Sequence, residues 1–198
     1  MISVDNAIFW IIGTVLVVAV AGVSYALRDK LRRRPIPDNL KPGQPLPDFQ
    51  AVDEDGNRVS TTELAGTPTV LLFVRGSWCP FCSKQVADLT RVYKEITDSG
   101  AKLILVTPKP LATTRRVAEM FDVDFRFWLD ESLEIAKQLG LVLAAGVPDD
   151  NRKEYGEDTL WPTTLIVDAH GIIRFTELSR FITDRPNPEK LLNVLRNL

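Results

Sequence analysis

One histidine and two cysteines are all that this chain of 198 residues holds of the soft metal ligands. A tetrahedral zinc site or an iron–sulfur cluster needs four protein ligands, so neither fits. A basic excess is missing as well. Lys and Arg number 24 against 26 Asp and Glu, a formal charge of −2, so no positive field points to nucleic acid. Internal repeats are absent, and the one biased tract is proline-rich. What remains, 45% hydrophobic and 25% charged, is the composition of a chain that can bury a core.

Charge is missing locally too. "AIFWIIGTVLVVAVAGVSYAL", from Ala7 to Leu27, carries no ionisable acid or base apart from its tyrosine. As a helix it would extend roughly 30 Å, the thickness of a bilayer's hydrocarbon core. Trp10 and Tyr25 stand near its ends, where interfacial aromatics gather. The start "MISVDN" lacks the basic residues of a signal peptide, so residues 7–27 are expected to be a membrane anchor. Arg28, Lys30, Arg32, Arg33 and Arg34 come directly after it. The positive-inside rule then sets the folded part of the chain on the cytoplasmic face of the plasma (inner) membrane, with the periplasmic face as the alternative.

The next stretch, "PIPDNLKPGQPLPD", has Pro35, Pro37, Pro42, Pro45 and Pro47, too many for a helix, and reads as an extended spacer. The expected organisation is therefore residues 1–28 as anchor with a short tail, 29–45 as basic and Pro-rich linker, and 46–198 as one folded domain. Within that domain, apolar runs alternate with helical patterns. A hairpin is expected around Asp55-Gly56, a buried strand at "TVLLFVR", and an amphipathic helix that carries Cys82, Val86, Leu89, Tyr93 and Ile96 and ends near Gly100. Strand "KLILVT", helix "TTRRVAEMF", strand "FRFWL" and helix "ESLEIAKQLG" come next. "LVLAAGVPDDNRKEYGEDTLW" reads as a polar insertion, whose acidic residues form a solvated loop or a lid rather than a metal cage. A strand–turn–strand unit over "TTLIVDAHGIIRFTEL" and a helix opened by Asn187-Pro188 close the chain. His170 falls at the tip of that turn. The alternation predicts an α/β fold with a central mixed sheet.

Cys79 and Cys82 are both in "VRGSWCPFCSKQV", where the buried strand gives way to a helix. A haem tether would need His after the second cysteine, and Ser83 is there. A structural disulfide across so short a loop adds little stability. A redox dithiol remains. Pro80 suits the first helical turn, which leaves Cys79 facing unpaired N–H groups and the positive end of the helix dipole. A thiolate is stabilised there, so Cys79 is expected to be the low-pKa, accessible nucleophile. Cys82 opens the apolar stripe with Val86 and Leu89 and is expected to be the more buried resolving thiol.

Strand, "WCPFC", helix and a late "WPTT" before another strand resemble the thioredoxin fold. "FVRGSWCPFCSKQVADL", "LPDFQAVDEDGNRVSTTEL" and "DRPNPEKLLNVL" resemble its peroxiredoxin-like branch, the alkyl hydroperoxide reductase / thiol-specific antioxidant family, over about residues 44–197. The resemblance implies a thiol-dependent oxidoreductase without a cofactor, acting on a peroxide or a protein disulfide. A dithiol reductant, thioredoxin-like or a small thiol, would recycle it. In that fold the proline of the late motif is cis and lies against the dithiol, which gives Pro162 a catalytic place and Trp161 and Thr163 places in the substrate groove. Trp78, by its counterpart, would cover the dithiol, and Arg75 stands near enough to favour a thiolate.

The chain departs from both parent patterns. Thioredoxins carry a buried Asp six residues before the first Cys; Phe73 is there. Peroxiredoxins place Thr or Ser three residues before the peroxidatic Cys, and Pro four before that. Counted from Cys79 these positions hold Gly76 and Leu72; counted from Cys82, Cys79 and Arg75. The sequence thus leaves open a protein disulfide reductase or oxidase without peroxidase activity. From another class, it leaves a non-catalytic anchored docking module or metallochaperone.

Overall fold

The computed structural model describes residues 4–31, 34–109, 119–120, 125–179, 181 and 183–198. It divides into two compact units, Met1–Pro35 and Ile36–Leu198. The first is built on one helix, α1 (Val4–Leu31). Its described side chains, from Trp10 to Tyr25, are all exposed. Among the described residues, no helix is long and apolar enough to cross a membrane. The expected helix "TTRRVAEMF" lies outside the described residues except for Glu119 and Met120, which are helical.

The second unit is organised by what its strands must bury. Strand β3 (Thr69–Phe73) is buried at every position, so both faces need cover. Its side chains divide by the period of two: Leu71 and Phe73 enter one core, Val70 and Leu72 the other. β4 (Lys102–Thr107) divides likewise, Ile104 and Val106 against Leu103 and Leu105. On one face lie α2 (Pro80–Thr90), α3 (Tyr93–Asp98) and α6 (Pro188–Leu195), through Val86, Leu89, Ile96, Leu191 and Leu195. On the other lies α4 (Glu134–Gln138), through Ile135 and Ala136, together with Leu40 and Leu64.

The sheet has seven strands in the order β2-β1-β5-β4-β3-β8-β9. β1 (Gln50–Asp53) and β2 (Arg58–Ser60) form the expected hairpin, with Gly56 at φ +90° in the turn. β3, β4 and β5 (Arg126–Leu129) are parallel, while β8 (Thr163–Val167) and β9 (Ile173–Leu178) return antiparallel. A separate ribbon pairs β6 (Val142–Leu143) with β7 (Thr159–Leu160) and carries α5 (Arg152–Tyr155). This is a thioredoxin-like sandwich with a mixed sheet.

Three expectations need correction. The single helix expected from Cys82 to near Gly100 is two helices, broken at Val92 (φ −113°, ψ 9°), where its N–H turns back to the Leu89 carbonyl. Periodicity survived because α3 resumes on the same core, through Ile96.

The proline-rich stretch is not wholly a spacer. From Ile36 it belongs to the folded unit: Leu40 is fully buried, and the chain from Gly43 to Leu46 pairs with the backbone of Gly171 to Ile173. Pro45 sits there without harm, since an edge needs no donor from it.

The third correction concerns Pro162. No peptide bond among the described residues is cis, so Trp161–Pro162 is trans. The chain reaches β8 directly from β7, with the Trp161 N–H on the Leu141 carbonyl and the Pro162 carbonyl accepting from Ser179. An extended entry of this kind is served by the ordinary trans isomer.

Candidate active site

The end of β3 sets the site. Val74 still donates to the Val106 carbonyl, and then the chain leaves the sheet through Arg75, Gly76, Ser77 and Trp78 to reach α2. Cys79 is the N-cap residue of α2 (φ −91°, ψ 105°), and Pro80 takes the first helical position. The Cys79 carbonyl already accepts from the Cys82 and Ser83 N–H groups, so its side chain is left at the positive end of the helix.

The two sulfurs face each other. The Cys82 thiol donates to the Cys79 sulfur over 2.9 Å, and both cysteines are free. That donation is the main reason the Cys79 thiol falls from its ordinary 9.0 to about 6. Burial opposes the fall, while the Cys82 backbone N–H and the charges of Arg185 and Arg75 assist it. Cys82 moves the opposite way, well above the ordinary value, because it is the donor, is buried and faces the Cys79 charge. The asymmetry of the pair is therefore built by geometry as well as by the helix end.

One expectation fails here. Cys79 is not accessible: it is 1% exposed, against 0% for Cys82. Trp78 packs against the core cluster that holds both cysteines, and Arg75, hydrogen-bonded to Cys79, is only 3% exposed despite its charge. The Arg75 guanidinium lies 4.4 Å over the Trp78 ring and donates to the Gly146 carbonyl. Its own carbonyl accepts from the Thr159 hydroxyl.

The polar insertion is thus tied to the dithiol loop. Tyr155 of α5 packs edge-on to Trp78 at 6.3 Å and shares a 2.8 Å hydrogen bond with the Ser77 hydroxyl. Lys109 stands over the Tyr155 ring at 5.5 Å and pairs with Glu154. Asp158 caps the turn by accepting from Ala145, and Asp149 pairs with Arg152. These acidic residues hold the insertion's own shape.

The close approach explains Gly76. It has φ +130°, and a Cβ there would stand 2.8 Å from Tyr155 and 3.0 Å from Trp78. This is the position, counted from Cys79, at which peroxiredoxins carry Thr or Ser. The covering insertion leaves room for neither.

The remaining residues expected in the groove are placed by β8. Thr163 pairs with Phe73, at the end of β3 that leads to the dithiol, and donates its hydroxyl to the Trp161 carbonyl. Trp161 is half-buried against the core on the α4 face, and Pro162 is buried between it and Thr163. His170 is a turn residue whose N–H goes to Asp168.

Arg185 escaped the sequence reading. Its Nη2 lies 3.1 Å from the Cys82 sulfur and 3.8 Å from the Cys79 sulfur, while Nη1 reaches the Asp184 carbonyl and the Ser179 hydroxyl. It comes from the segment between β9 and α6, more than a hundred residues beyond the cysteines. An arginine in "TDRPNP" has no local pattern that would reveal it.

Comparison with known proteins places this arrangement. A family model described as AhpC/TSA matches residues 42–176. Peroxiredoxin Q of the chloroplast of Gentiana triflora is 27% identical over 99 residues, 50% of this chain and 46% of that protein. Thiol-disulfide oxidoreductase ResA of Halalkalibacterium halodurans is 24% identical over 132 residues, 66% of this chain and 65% of that one. The chain thus spans less than two thirds of the length of either relative. Peroxidoxin BcpB from Mycobacterium tuberculosis superposes with a TM-score of 0.63 at 22% identity, over 80% of this chain and 98% of that one, a likeness of fold. With a dithiol at the head of α2 and the model match across most of the folded unit, the chain belongs to the AhpC/TSA family, whose relatives here are thiol-dependent oxidoreductases.

Proposed function

We propose that the chain is a membrane-anchored thiol peroxidase that uses Cys79 and Cys82 to reduce small hydroperoxides. The observation that carries this reading is the 2.9 Å contact between the sulfurs, with the Cys79 thiol brought down to about 6. At neutral pH Cys79 is a thiolate, and the thiolate is the nucleophile. It attacks the terminal oxygen of the hydroperoxide, the O–O bond breaks and an alkoxide leaves, to be protonated by water. Cys79 is left as a sulfenic acid. Cys82 then attacks that sulfur, water departs, and a Cys79–Cys82 disulfide forms. A dithiol reductant returns the pair to the thiol state, becoming a disulfide itself.

Burial favours a small oxidant. With Cys79 only 1% exposed, a protein disulfide reaches the sulfur only if the surrounding residues move. A second reading, disulfide reduction without peroxidase activity, draws support from Gly76 where peroxiredoxins carry a hydroxyl. The metallochaperone reading is weakened by the guanidinium of Arg185 within 3.8 Å of both sulfurs, since it repels a metal cation. Turnover of the full chain on hydrogen peroxide and on a protein disulfide, with one dithiol reductant, separates the readings. Peroxide turnover in excess supports the peroxidase; disulfide turnover alone replaces it with the reductase.

The anchor belongs to the same proposal. It is supported by the uncharged run Ala7–Leu27 in the sequence, whose length suits a bilayer's hydrocarbon core. The basic cluster from Arg28 to Arg34 supports a cytoplasmic redox domain. Protease added to spheroplasts should leave that domain intact, and its digestion there would assign it to the periplasm.

A further inference from the structure

The contact between Arg185 and both sulfurs has a consequence for the direction in which the pair works. A guanidinium beside two sulfurs interacts differently with their two redox states. In the reduced state one proton is shared and the pair carries a negative charge, so the contact is a charge-assisted hydrogen bond. In the disulfide both sulfurs are neutral and weak acceptors, and the attraction is largely gone. A group that holds the reduced state more tightly than the oxidised one shifts the couple toward reduction.

We infer that Arg185 is a catalytic residue that makes the Cys79–Cys82 couple more oxidising, by bridging the sulfurs in the reduced state at 3.1 and 3.8 Å and losing that contact in the disulfide. The inference rests on the dithiol reading above and extends it from which thiol attacks to which way electrons flow. In balanced form, the thiolate of Cys79, the thiol of Cys82 and a hydroperoxide give the disulfide, an alcohol and hydroxide. The couple gives two electrons to the O–O bond and regains them from the dithiol reductant. A raised potential favours that second half, since a modest donor suffices to reduce the disulfide.

Geometry fits the role. Nη1 is held by the Asp184 carbonyl and the Ser179 hydroxyl, so Nη2 is aimed rather than swinging. The charged or titratable groups facing Cys79 are Cys82 from α2, Arg75 from the loop after β3 and Arg185 from the segment before α6. Arg75 also reaches Cys79 but lies on the Trp78 ring and donates to the Gly146 carbonyl, while Arg185 is the cation within hydrogen-bond reach of both sulfurs.

The effect must vanish in acid. Below about 6 both thiols are protonated in the reduced state, and Arg185 has no anion to prefer. The wild type and an Arg185 variant should therefore converge at pH 5 and diverge toward pH 8.

The test is redox equilibration of the full chain against a dithiol buffer, with wild type, Arg185→Lys and Arg185→Met, at pH 5 and pH 8. For Arg185→Met at pH 8 the equilibrium constant should move about tenfold toward the disulfide, about 30 mV for a two-electron couple. Arg185→Lys should recover part of the shift, and neither variant should differ from wild type at pH 5. Arg185→Met with a wild-type equilibrium constant at pH 8, in protein whose circular dichroism is unchanged, overturns the inference. If Met and Lys shift equally, or the shift persists at pH 5, the effect is structural and the inference is again overturned. A wild type that forms no Cys79–Cys82 disulfide at any potential would instead remove the dithiol reading itself.

Discussion

The Cys82 thiol lies 2.9 Å from the Cys79 sulfur and donates to it, so the second cysteine sets the acidity of the first before it resolves anything. Removing the donor should show this. In Cys82→Ala the Cys79 pKa should rise from about 6 toward the ordinary thiol value, whereas Cys82→Ser retains a donor and should rise less. The ultraviolet absorbance of the thiolate, followed against pH, checks both variants.

Folding stability of the reduced protein should depend on pH through the same pair. Cys79 has a depressed folded pKa, so its contribution is present above the unfolded thiol range and is lost as pH falls through about 6. Cys82 has a raised folded pKa, so stability declines once pH climbs above the ordinary thiol value of 9.0, where the unfolded chain ionises and the fold resists. Urea unfolding in the presence of reductant should therefore show a maximum between these limits. Cys79→Ala should flatten its acid side.

Gly76→Ala tests how tightly the insertion is closed over the dithiol loop. A Cβ 2.8 Å from Tyr155, at φ +130°, is strained both by contact and by backbone. A loss of about 1–3 kcal/mol is expected. Denaturant midpoints measure it, and Tyr155→Ala in the same background should recover the part due to contact.

Much of the fold was legible because its signals are local. Asp55-Gly56 makes a turn through a positive φ, Asn187 accepts from the Glu189 N–H at the head of α6, and the apolar run at β3 has to be buried on both faces. The cysteine pair was legible for the same reason, since strand, Pro80 and helix lie within a few residues. What was missed depends on distant contacts. Arg185 reaches the sulfurs only through the path of β9 and the segment after it. Leu40 belongs to the fold because it packs into the core, and Pro45 because Gly171 to Ile173 lie alongside, which a count of prolines cannot register. Arg75, beside Cys79, folds under the insertion through the Gly146 carbonyl, a pairing across 71 residues.

Arg75 joins that insertion to the dithiol, and its loss should be felt on both sides. Arg75→Met leaves the Gly146 carbonyl without its charged donor and removes the stacking on Trp78, which should cost about 1–3 kcal/mol. The Cys79 pKa should rise modestly, because the charge of Arg75 is one of the smaller causes of its depression. Reaction with a bulky thiol reagent should speed up relative to a small one as the cover loosens. Paired unfolding and labelling measurements check the three effects together.

The most direct test of the two thiols' unequal roles is residue-resolved alkylation of the reduced full chain across pH, read by peptide mass. Cys79 should label with a midpoint near pH 6 and Cys82 only far above it. One equivalent of hydrogen peroxide should then convert the pair to a disulfide and block both sites. Labelling of both cysteines with ordinary thiol midpoints, or labelling of Cys82 first, would contradict the assignment of Cys79 as nucleophile.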